Sequence, residues 1–310
     1  MAKEETSTRR GLLWSAVVVV VTALGVLGFI RLRLLYLWVD QVAGFAVRGD
    51  DVVVFERVYG GEESAGGDRL VRVDLRTGEV KRRALADEGE WLGEVGGLLW
   101  FTAPGGLEAR DFDTLALAHS AKSLRERHPA LAGLGEEGHC YDRALHLLRF
   151  TAPDGRYLSF ELGAQVLGVA DSMNCPSPSV RGSSGTLPDG RALQIRETPQ
   201  SKRSELWVGD RALGVSGLEV SLLLEPQGGA VTVGDDVLLV RRSGTAFEAP
   251  TELVRVRLGD QPERWVTPLH DGRLSFQRVV VVDGVILLGD GHRVFAVDAE
   301  TGALRWKRAP

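Results

Sequence analysis

The apolar positions of the chain fall into one long run near the N-terminus and many short runs after it. The long run, residues 11–30, reads GLLWSAVVVVVTALGVLGFI and contains no charged side chain. A helix rises about 1.5 Å per residue, so a run of this length spans the roughly 30 Å hydrocarbon core of a bilayer. We therefore predict a transmembrane helix over 11–32. A cleaved signal peptide is the alternative, but the run continues into RLRLLYLWV without a small-x-small exit.

Basic residues on either side of this segment predict its orientation. Lys3, Arg9, Arg10 and the amino terminus precede it, whereas only Arg31 and Arg33 follow it closely. The side with more positive charge tends to stay in the cytoplasm. We therefore expect a cytoplasmic tail over 1–10, a single-pass anchor in the inner (cytoplasmic) membrane, and a linker or first strand over 33–43. The C-terminal domain, 44–310, is then periplasmic or extracellular.

The short apolar runs predict strands. Examples are RLVRVDL at 69–75, ELVRVRL at 252–258 and RVVVVDGVILLGD at 278–290, and some of these runs alternate between apolar and polar positions. Asp-Gly, a dipeptide that tolerates the positive φ of hairpin turns, occurs at 154, 189, 271, 283 and 290. This pattern is typical of an antiparallel all-β domain. One exception lies near 113–134, where we expect a helical insertion with a helix over 120–128 that Pro129 stops.

An internal repeat narrows the architecture. RLVRVDLRTGEVKR at 69–82 aligns without gaps to RVFAVDAETGALRW at 293–306, and each contains strand, Asp, Thr-Gly and a second strand. Weaker copies lie near 113, 161, 210 and 259, and a spacing of about 40–50 residues matches one four-stranded propeller blade. We predict a β-propeller of six four-stranded blades, or seven if 36–47 and a degenerate middle segment form one more. A β-sandwich or a pair of small β domains is the alternative. The repeat-turn residues are Asp74, Thr77, Gly78, Asp298, Thr301, Gly302 and Trp306.

The last repeat resembles that of PQQ-like (quinoprotein-type) β-propellers, on the residues Val297, Asp298, Thr301, Gly302, Leu304 and Trp306. The resemblance implies that Trp306 closes the outer strand and docks against the neighbouring blade. Arg82 stands at this position in the first repeat, and Trp265 is its equivalent in the fifth. The family includes periplasmic quinone-dependent dehydrogenases, which carry adjacent cysteines and a calcium site. This chain has no Cys-Cys pair, so it resembles a non-catalytic member, and we expect no cofactor.

Composition and cysteine content limit the partners. The chain is 44% hydrophobic and 25% charged, which indicates a folded protein, and its net charge is −5. This charge argues against a nucleic-acid partner, since duplex binding needs clustered basic residues. Cys140 and Cys175 predict a disulfide in an exported chain. Two separate buried thiols, or a reactive thiol, are the alternatives.

Candidate chemistry is sparse in the sequence, and we assign no catalytic, cofactor-binding or metal-binding residue. The paired carboxylates are interpreted as solvated turn residues. We predict a binding or scaffolding module that acts on a protein partner through loops on one rim of the propeller. The alternative is a membrane-tethered hydrolase or oxidoreductase that gathers those carboxylates in the channel. The carboxylates concerned are Asp111, Asp113, Glu136, Glu137, Asp235 and Asp236.

Overall fold

The structure is a computed structural model that describes residues 38–309, apart from 61–63, 88, 135–137, 176–179, 199–202, 226–227, 243, 245–248, 259–261, 273, 275 and 277. The predicted cytoplasmic tail and membrane helix lie outside the described residues. Within the described part, no helix has the length and apolar character needed to cross a membrane.

The first half of the chain forms three antiparallel four-stranded sheets, each with its strands in chain order. Sheet 1 consists of β1 (Trp38–Arg48), β2 (Asp51–Gly60), β3 (Ser64–Asp74) and β4 (Val80–Ala86). Sheet 2 consists of β5 (Trp91–Val95), β6 (Leu98–Ala103), β7 (Gly106–Asp111) and β8 (Leu117–His119). Sheet 3 consists of β9 (His139–Asp142), β10 (Leu147–Thr151), β11 (Tyr157–Glu161) and β12 (Val166–Val169).

A short helical insertion separates sheets 2 and 3. Helix α1 spans Ala121–Arg127, and a 3-10 helix follows over Pro129–Gly133. The Ser120 side chain accepts from the backbone N–H of Ser123 and so caps α1. The helix expected over 120–128 is therefore present, ending before Pro129.

The second half forms three more sheets. Sheet 4 consists of β14 (Ser184–Thr186), β15 (Ala192–Thr198), β16 (Arg203–Val208) and β17 (Arg211–Gly217). Sheet 5 consists of β13 (Arg181–Gly182), β18 (Glu219–Leu223), β19 (Thr232–Val233), β20 (Asp236–Arg242), β21 (Pro250–Arg257) and β22 (Glu263–Asp271). Sheet 6 consists of β23 (Arg278–Val282), β24 (Val285–Gly289), β25 (Val294–Asp298) and β26 (Leu304–Arg308).

The core lies between neighbouring sheets, in five apolar clusters. They join sheets 1 and 2, 2 and 3, 4 and 5, 5 and 6, and 6 and 1. Because the last sheet packs on the first, the arrangement is compatible with a propeller-like fold. The described residues form six sheets, and Trp38–Arg48 is the first strand of sheet 1, so this segment does not contribute to a seventh blade. Two aromatic pairs cross such boundaries, Phe55 with Phe101 and Trp100 with Phe160; the other clusters include Leu206 and Val237, Leu238 and Phe295, and Val54 and Leu287.

One five-residue turn connects the last two strands of sheets 1, 2, 3 and 6. In each copy the backbone N–H of the fifth residue donates to the carbonyl of the first, at 2.8–2.9 Å. The fifth residue has φ between +54° and +75°, in the left-handed region. The four donor–acceptor pairs are Gly78 to Asp74, Leu115 to Asp111, Gln165 to Glu161, and Gly302 to Asp298.

In sheets 1, 2, 5 and 6, the residue at one register position of the outer strand reaches this turn in the next sheet. Trp306 Nε1 donates to the carbonyl of Leu75 at 2.8 Å, and Trp265 Nε1 donates to that of Ala299 at 3.2 Å. Arg82 takes the same role, because its Nη1 donates to the carbonyl of Thr114 at 2.6 Å. We call this register position the docking position. The register defines this position by four cross-strand pairs: Trp306 with Ala296, Trp265 with Arg255, Arg82 with Arg72, and His119 with Ala109.

The boundary between sheets 3 and 4 is built differently. Gly168 pairs with Ser159 and occupies the docking position of sheet 3, so no side chain is available there. Cys140 is instead bonded to Cys175 in a disulfide, and Arg149 Nη1 donates to the carbonyl of Asn174 at 2.8 Å. The chain leaving sheet 3 is thus held by a covalent link, whereas four other boundaries use a docked side chain.

The carboxylates of the five-residue turns should make the free energy of unfolding depend on pH. Hydrogen bonds, first from the backbone of Thr77 and then from Lys81, hold the pKa of Asp74 well below its ordinary value. Hydrogen bonds from the Arg305 side chain, and then from the backbone of Thr301, likewise lower the pKa of Asp298. Because these pKa values are lowered by folding, the stabilisation is present above the ordinary pKa near 3.8 and is lost as pH falls below it.

The Asp74→Asn/Asp298→Asn double variant should therefore lose about 0.5–1.5 kcal/mol per site at neutral pH. Its free energy of unfolding should also fall less steeply than that of the parent as pH decreases from about 5 to 2. Urea unfolding across this pH range measures both effects. Parallel curves for the two proteins would show that these carboxylates do not cause the acid loss.

Candidate functional site

An open pocket lies between sheets 4 and 5. In an antiparallel sheet, the first and third turns lie at one edge and the second turn lies at the other. We call the edge with the first and third turns the first-turn rim. The pocket, of about 600 Å³, opens at this rim. Its lining, which we call the arginine pocket, comprises Leu187, Pro188, Asp189, Arg191, Thr232, Val233, Gly234, Asp235, Asp236, Arg255, Arg257, Leu258 and Arg264.

Asp236 is the anchor of the pocket. It begins β20, is only 4% exposed, and faces three guanidinium groups. Its carboxylate lies 2.8 Å from Arg255 Nε, 3.4 Å from Arg264 Nε and 3.9 Å from Arg257 Nε. Because Glu300 also lies 3.0 Å from Arg255, two carboxylates face three guanidinium groups, which leaves one positive charge in excess around Asp236.

Arg255 is fully engaged in structural contacts. Its Nη1 donates to the carbonyl of Ala299 at 2.6 Å and to Glu300 Oε2 at 3.0 Å, in addition to its bond with Asp236. This buried guanidinium ties sheet 5 to sheet 6. Arg257 and Arg264, by contrast, are 52% and 40% exposed. Their side chains donate no hydrogen bond within the described residues, so their N–H groups can serve a ligand.

The wall from sheet 4 is an Asp-Gly-Arg turn. Asp189 Oδ1 accepts from the backbone N–H of Arg191 at 3.0 Å, and Oδ2 accepts from Arg191 Nε at 2.7 Å. The Arg191 side chain lowers the pKa of Asp189 through this contact. Asp235, the remaining acid of the lining, is exposed at the mouth. The lining thus carries four arginines and three aspartates.

The other carboxylates considered for catalysis lie elsewhere. Asp111 caps the turn of sheet 2, where the hydroxyl and backbone of Thr114 lower its pKa. Asp113 Oδ1 lies 3.2 Å from Arg72 Nη2. Glu136 and Glu137 are outside the described residues, and within the described ones no three His, Cys, Asp or Glu side chains form a group that could hold a metal. The structure therefore places the described acids on sheets 2 and 5, and not in one cleft.

A smaller cavity lies against the first strands of the sheets. Arg278 packs 5.0 Å from the centre of the Phe45 ring and donates to the Phe45 carbonyl. Arg143 lines the same cavity. Burial, together with the charge of Arg143, lowers the pKa of Arg278 to about 10, and burial raises the pKa of Tyr141 to about 12. This inner group is basic and partly shielded from water.

The sequence interpretation missed the arginines of the pocket. It identified Asp235 and Asp236, but only as possible acids, and it treated ELVRVRL as a strand without chemistry. The signal was nevertheless present, because RLVRVDL and ELVRVRL share five of seven positions and reverse charge at the other two, Arg69 against Glu252 and Asp74 against Arg257. A charge reversal within a repeat marks a position where one copy has a different task.

Comparison with known proteins adds similarity at the level of structure only. No protein-family model and no curated protein matches the chain. It is similar to Kuenenia stuttgartiensis hydrazine synthase (11% identity, 84% of this chain and 78% of that one, TM-score 0.31). It is also similar to Pyrococcus horikoshii acylaminoacyl peptidase (10% identity, 86% of this chain and 45% of that one, TM-score 0.34). A third similar structure is BamB from Moraxella catarrhalis (12% identity, 86% of this chain and 87% of that one, TM-score 0.22).

Proposed function

We propose that this protein is an exported β-propeller, anchored in the membrane by residues 11–32, that works as a binding or scaffolding module. Its recognition site is the arginine pocket, and its ligand is a protein partner. The observation that carries this proposal is the pocket of about 600 Å³ built from the turns of two neighbouring sheets. Its size is within the range of about 300–1,000 Å³ that is usual for ligand sites.

The lining suits protein recognition. Leu187, Val233 and Leu258 provide apolar contact beside Arg257 and Arg264, whose Nε atoms approach Asp236 and whose exposed side chains donate no hydrogen bond within the described residues. Arginine is enriched at protein interfaces because it combines apolar surface with several directed donors. The turns that carry these residues end on buried strands, so the pocket is held in a defined shape before a partner arrives.

Site-specific photo-crosslinking tests the location of binding. A photoreactive residue in place of Asp189 should give a discrete adduct with a partner in intact membranes. Asp154 is the matched control, because Asp154 and Arg156 form the same Asp-Gly-Arg turn with the same hydrogen bonds, on the opposite edge. Equal adducts from both positions, or none from Asp189, would contradict the proposal.

A reporter fusion tests the predicted topology. Alkaline phosphatase, which is active only after export, should be active when fused behind Pro310 and inactive when residues 11–32 are deleted. A cytoplasmic reporter fused at the same point should show the reverse. Phosphatase activity that does not depend on 11–32 would contradict the anchor.

A further inference from the structure

Sheets 1 and 5 carry equivalent ionic positions at the first-turn rim. In sheet 1, Asp51 begins β2 and contacts Arg72 at 2.5 Å and Lys81 at 2.6 Å. Lys81 also contacts Asp74 at 3.0 Å. Within sheet 1, two acids thus face two bases, and Asp113 of sheet 2 adds a third carboxylate 3.2 Å from Arg72. The strand registers place Asp236, Arg255, Arg257 and Arg264 of sheet 5 at the positions of Asp51, Arg72, Asp74 and Lys81.

A charge exchange between these two sheets is compensated at the other end of the same strands. Glu56 pairs with Arg69 in sheet 1, and Arg241 pairs with Glu252 in sheet 5; each pair has an Nε–Oε2 distance of 2.8 Å. The acid is on β2 in sheet 1 but on β21, the counterpart of β3, in sheet 5, and the base is on the other strand in each case, so both sheets keep the ion pair.

The exchange at Arg257 is not compensated. Arg257 replaces the acid Asp74, whereas Arg264 keeps the positive charge of Lys81. Sheet 6 has the balanced form, because Arg305 Nη2 lies 2.5 Å from Asp298 Oδ2 at these two positions. Sheet 5 therefore places two half-exposed guanidinium groups side by side, and both face a pocket.

We infer that the arginine pocket binds an acidic peptide segment that presents two or more carboxylates to Arg257 and Arg264. This inference rests on the proposed function and names its partner's chemistry. Guanidinium groups bind carboxylates through paired N–H donors, and two of them favour a ligand with two acids. Asp189 is already bonded to Arg191, so its charge is balanced within the wall, and the exposed Asp235 is a negative charge that an acidic ligand must avoid.

Arg257→Asp is the decisive variant. It recreates the charge arrangement that sheet 1 already uses, so the fold has a precedent for it. Arg76→Asp is the matched control: it makes the same charge change at the same rim, and sheet 2 carries Asp113 at the corresponding turn position. The full chain, in nanodiscs of neutral phosphatidylcholine, is titrated with a fluorescent tetraglutamate peptide, with tetraglutamine as the neutral probe.

We expect the parent to bind tetraglutamate and not tetraglutamine. Arg257→Asp should weaken tetraglutamate binding by about tenfold or more, and Arg76→Asp should leave it unchanged. Equal weakening by both variants would assign the effect to net charge and overturn the inference. So would the absence of tetraglutamate binding, or equally strong competition by tricarballylate, a small free tricarboxylate.

The two proposals can fail separately. If the Asp189 position gives its adduct but tetraglutamate neither binds nor competes with it, the binding module stands and the acidic ligand is wrong. If tetraglutamate binds in the Arg257-dependent way but no adduct forms from Asp189 in membranes, the carboxylate chemistry of the pocket stands and its role in partner binding is wrong.

Discussion

Replacing Gly302 with alanine should lower the free energy of unfolding by about 2–5 kcal/mol. Gly302 is buried and has φ +75°, a conformation that costs an L-residue about 1–2 kcal/mol. A Cβ at this position would also lie 2.6 Å from Cδ2 of Trp265, and overpacking of this kind costs about 1–3 kcal/mol more. The variant therefore combines backbone strain with a steric clash.

The clash matters because Trp265 joins two sheets. Its Nε1 donates to the carbonyl of Ala299, in the same turn as Gly302, and the Thr267 hydroxyl donates to the carbonyl of Gly302 at 2.5 Å. Moving the indole away would break the first of these hydrogen bonds, and shifting the turn would break the second. Sheet 6 would then lose part of its attachment to sheet 5.

Chemical denaturation of Gly302→Ala separates strain from clash when Gly284→Ala serves as the control. Gly284 has φ +71°, but nothing lies within 4 Å of its would-be Cβ, so it should lose only the backbone contribution of about 1–2 kcal/mol. In a Trp265→Ala background, Gly302→Ala should become less costly. Equal losses for the Gly302 and Gly284 variants would show that the indole does not occupy the contact.

The repeat shows how far sequence reasoning reaches for this fold. Thr-Gly marked the turns of sheets 1 and 6 because glycine is the residue that tolerates a left-handed φ without strain. Sheets 2 and 3 form the same turn with Leu115 and Gln165 at that position, and their copies therefore looked weak. Leu115 is fully buried, so its packing offsets the strain. The spacing of the repeats along the chain located these two turns, whereas the absence of glycine at the fifth position hid them from a motif search.

The docking position likewise shows that different residue types can make equivalent contacts between sheets. Arg82 seemed to be a missing tryptophan, yet it reaches the turn of sheet 2 by a hydrogen bond. His119 holds the position in sheet 2 and lies 3.2 Å from the side-chain nitrogen of Gln165. The indole and the guanidinium donate to a turn, whereas the imidazole accepts from the Gln165 side-chain amide. A motif written as tryptophan alone therefore hides a geometry that recurs in four sheets of this chain and that only the strand register reveals.

The candidate site was harder to predict because it depends on neighbours distant in sequence. Asp189 and Asp236 meet across two sheets, and no spacing along the chain indicates this. The comparison of RLVRVDL with ELVRVRL could have identified Arg257 as an exception. It could not have shown that Arg264 faces the same pocket, since that follows from the pairing of β21 with β22.

The disulfide lies near the boundary between sheets 3 and 4, where it stabilises the folded structure locally as well as restricting the unfolded chain. None of the five apolar clusters in the described residues joins these two sheets. Cys140 and Arg149 are paired residues of β9 and β10, and side-chain alternation places them on the face away from buried Leu148 and Phe150. The segment around Cys175 is held on that face by the disulfide and by the Arg149 hydrogen bond.

The Cys140→Ser/Cys175→Ser variant should therefore lose about 3–4 kcal/mol of stability, the chain-entropy value for a loop of this size. The bond closes a sequence separation of 35 residues, and its removal frees the unfolded chain while it also releases the face of sheet 3. Denaturation of the variant and the parent under oxidising conditions measures the total loss. Reduction of the parent with a thiol should reproduce it.

Hydrogen exchange shows where the loss is felt. Amide protection should fall most in β9 and β10 and around Cys175, while β24 and β25, at the centre of sheet 6, should keep theirs at low denaturant. This difference follows because sheet 6 is attached by apolar clusters on both sides, whereas sheet 3 has one on a single side. A uniform fall across sheets 3 and 6 would mean that the disulfide acts only on the unfolded chain.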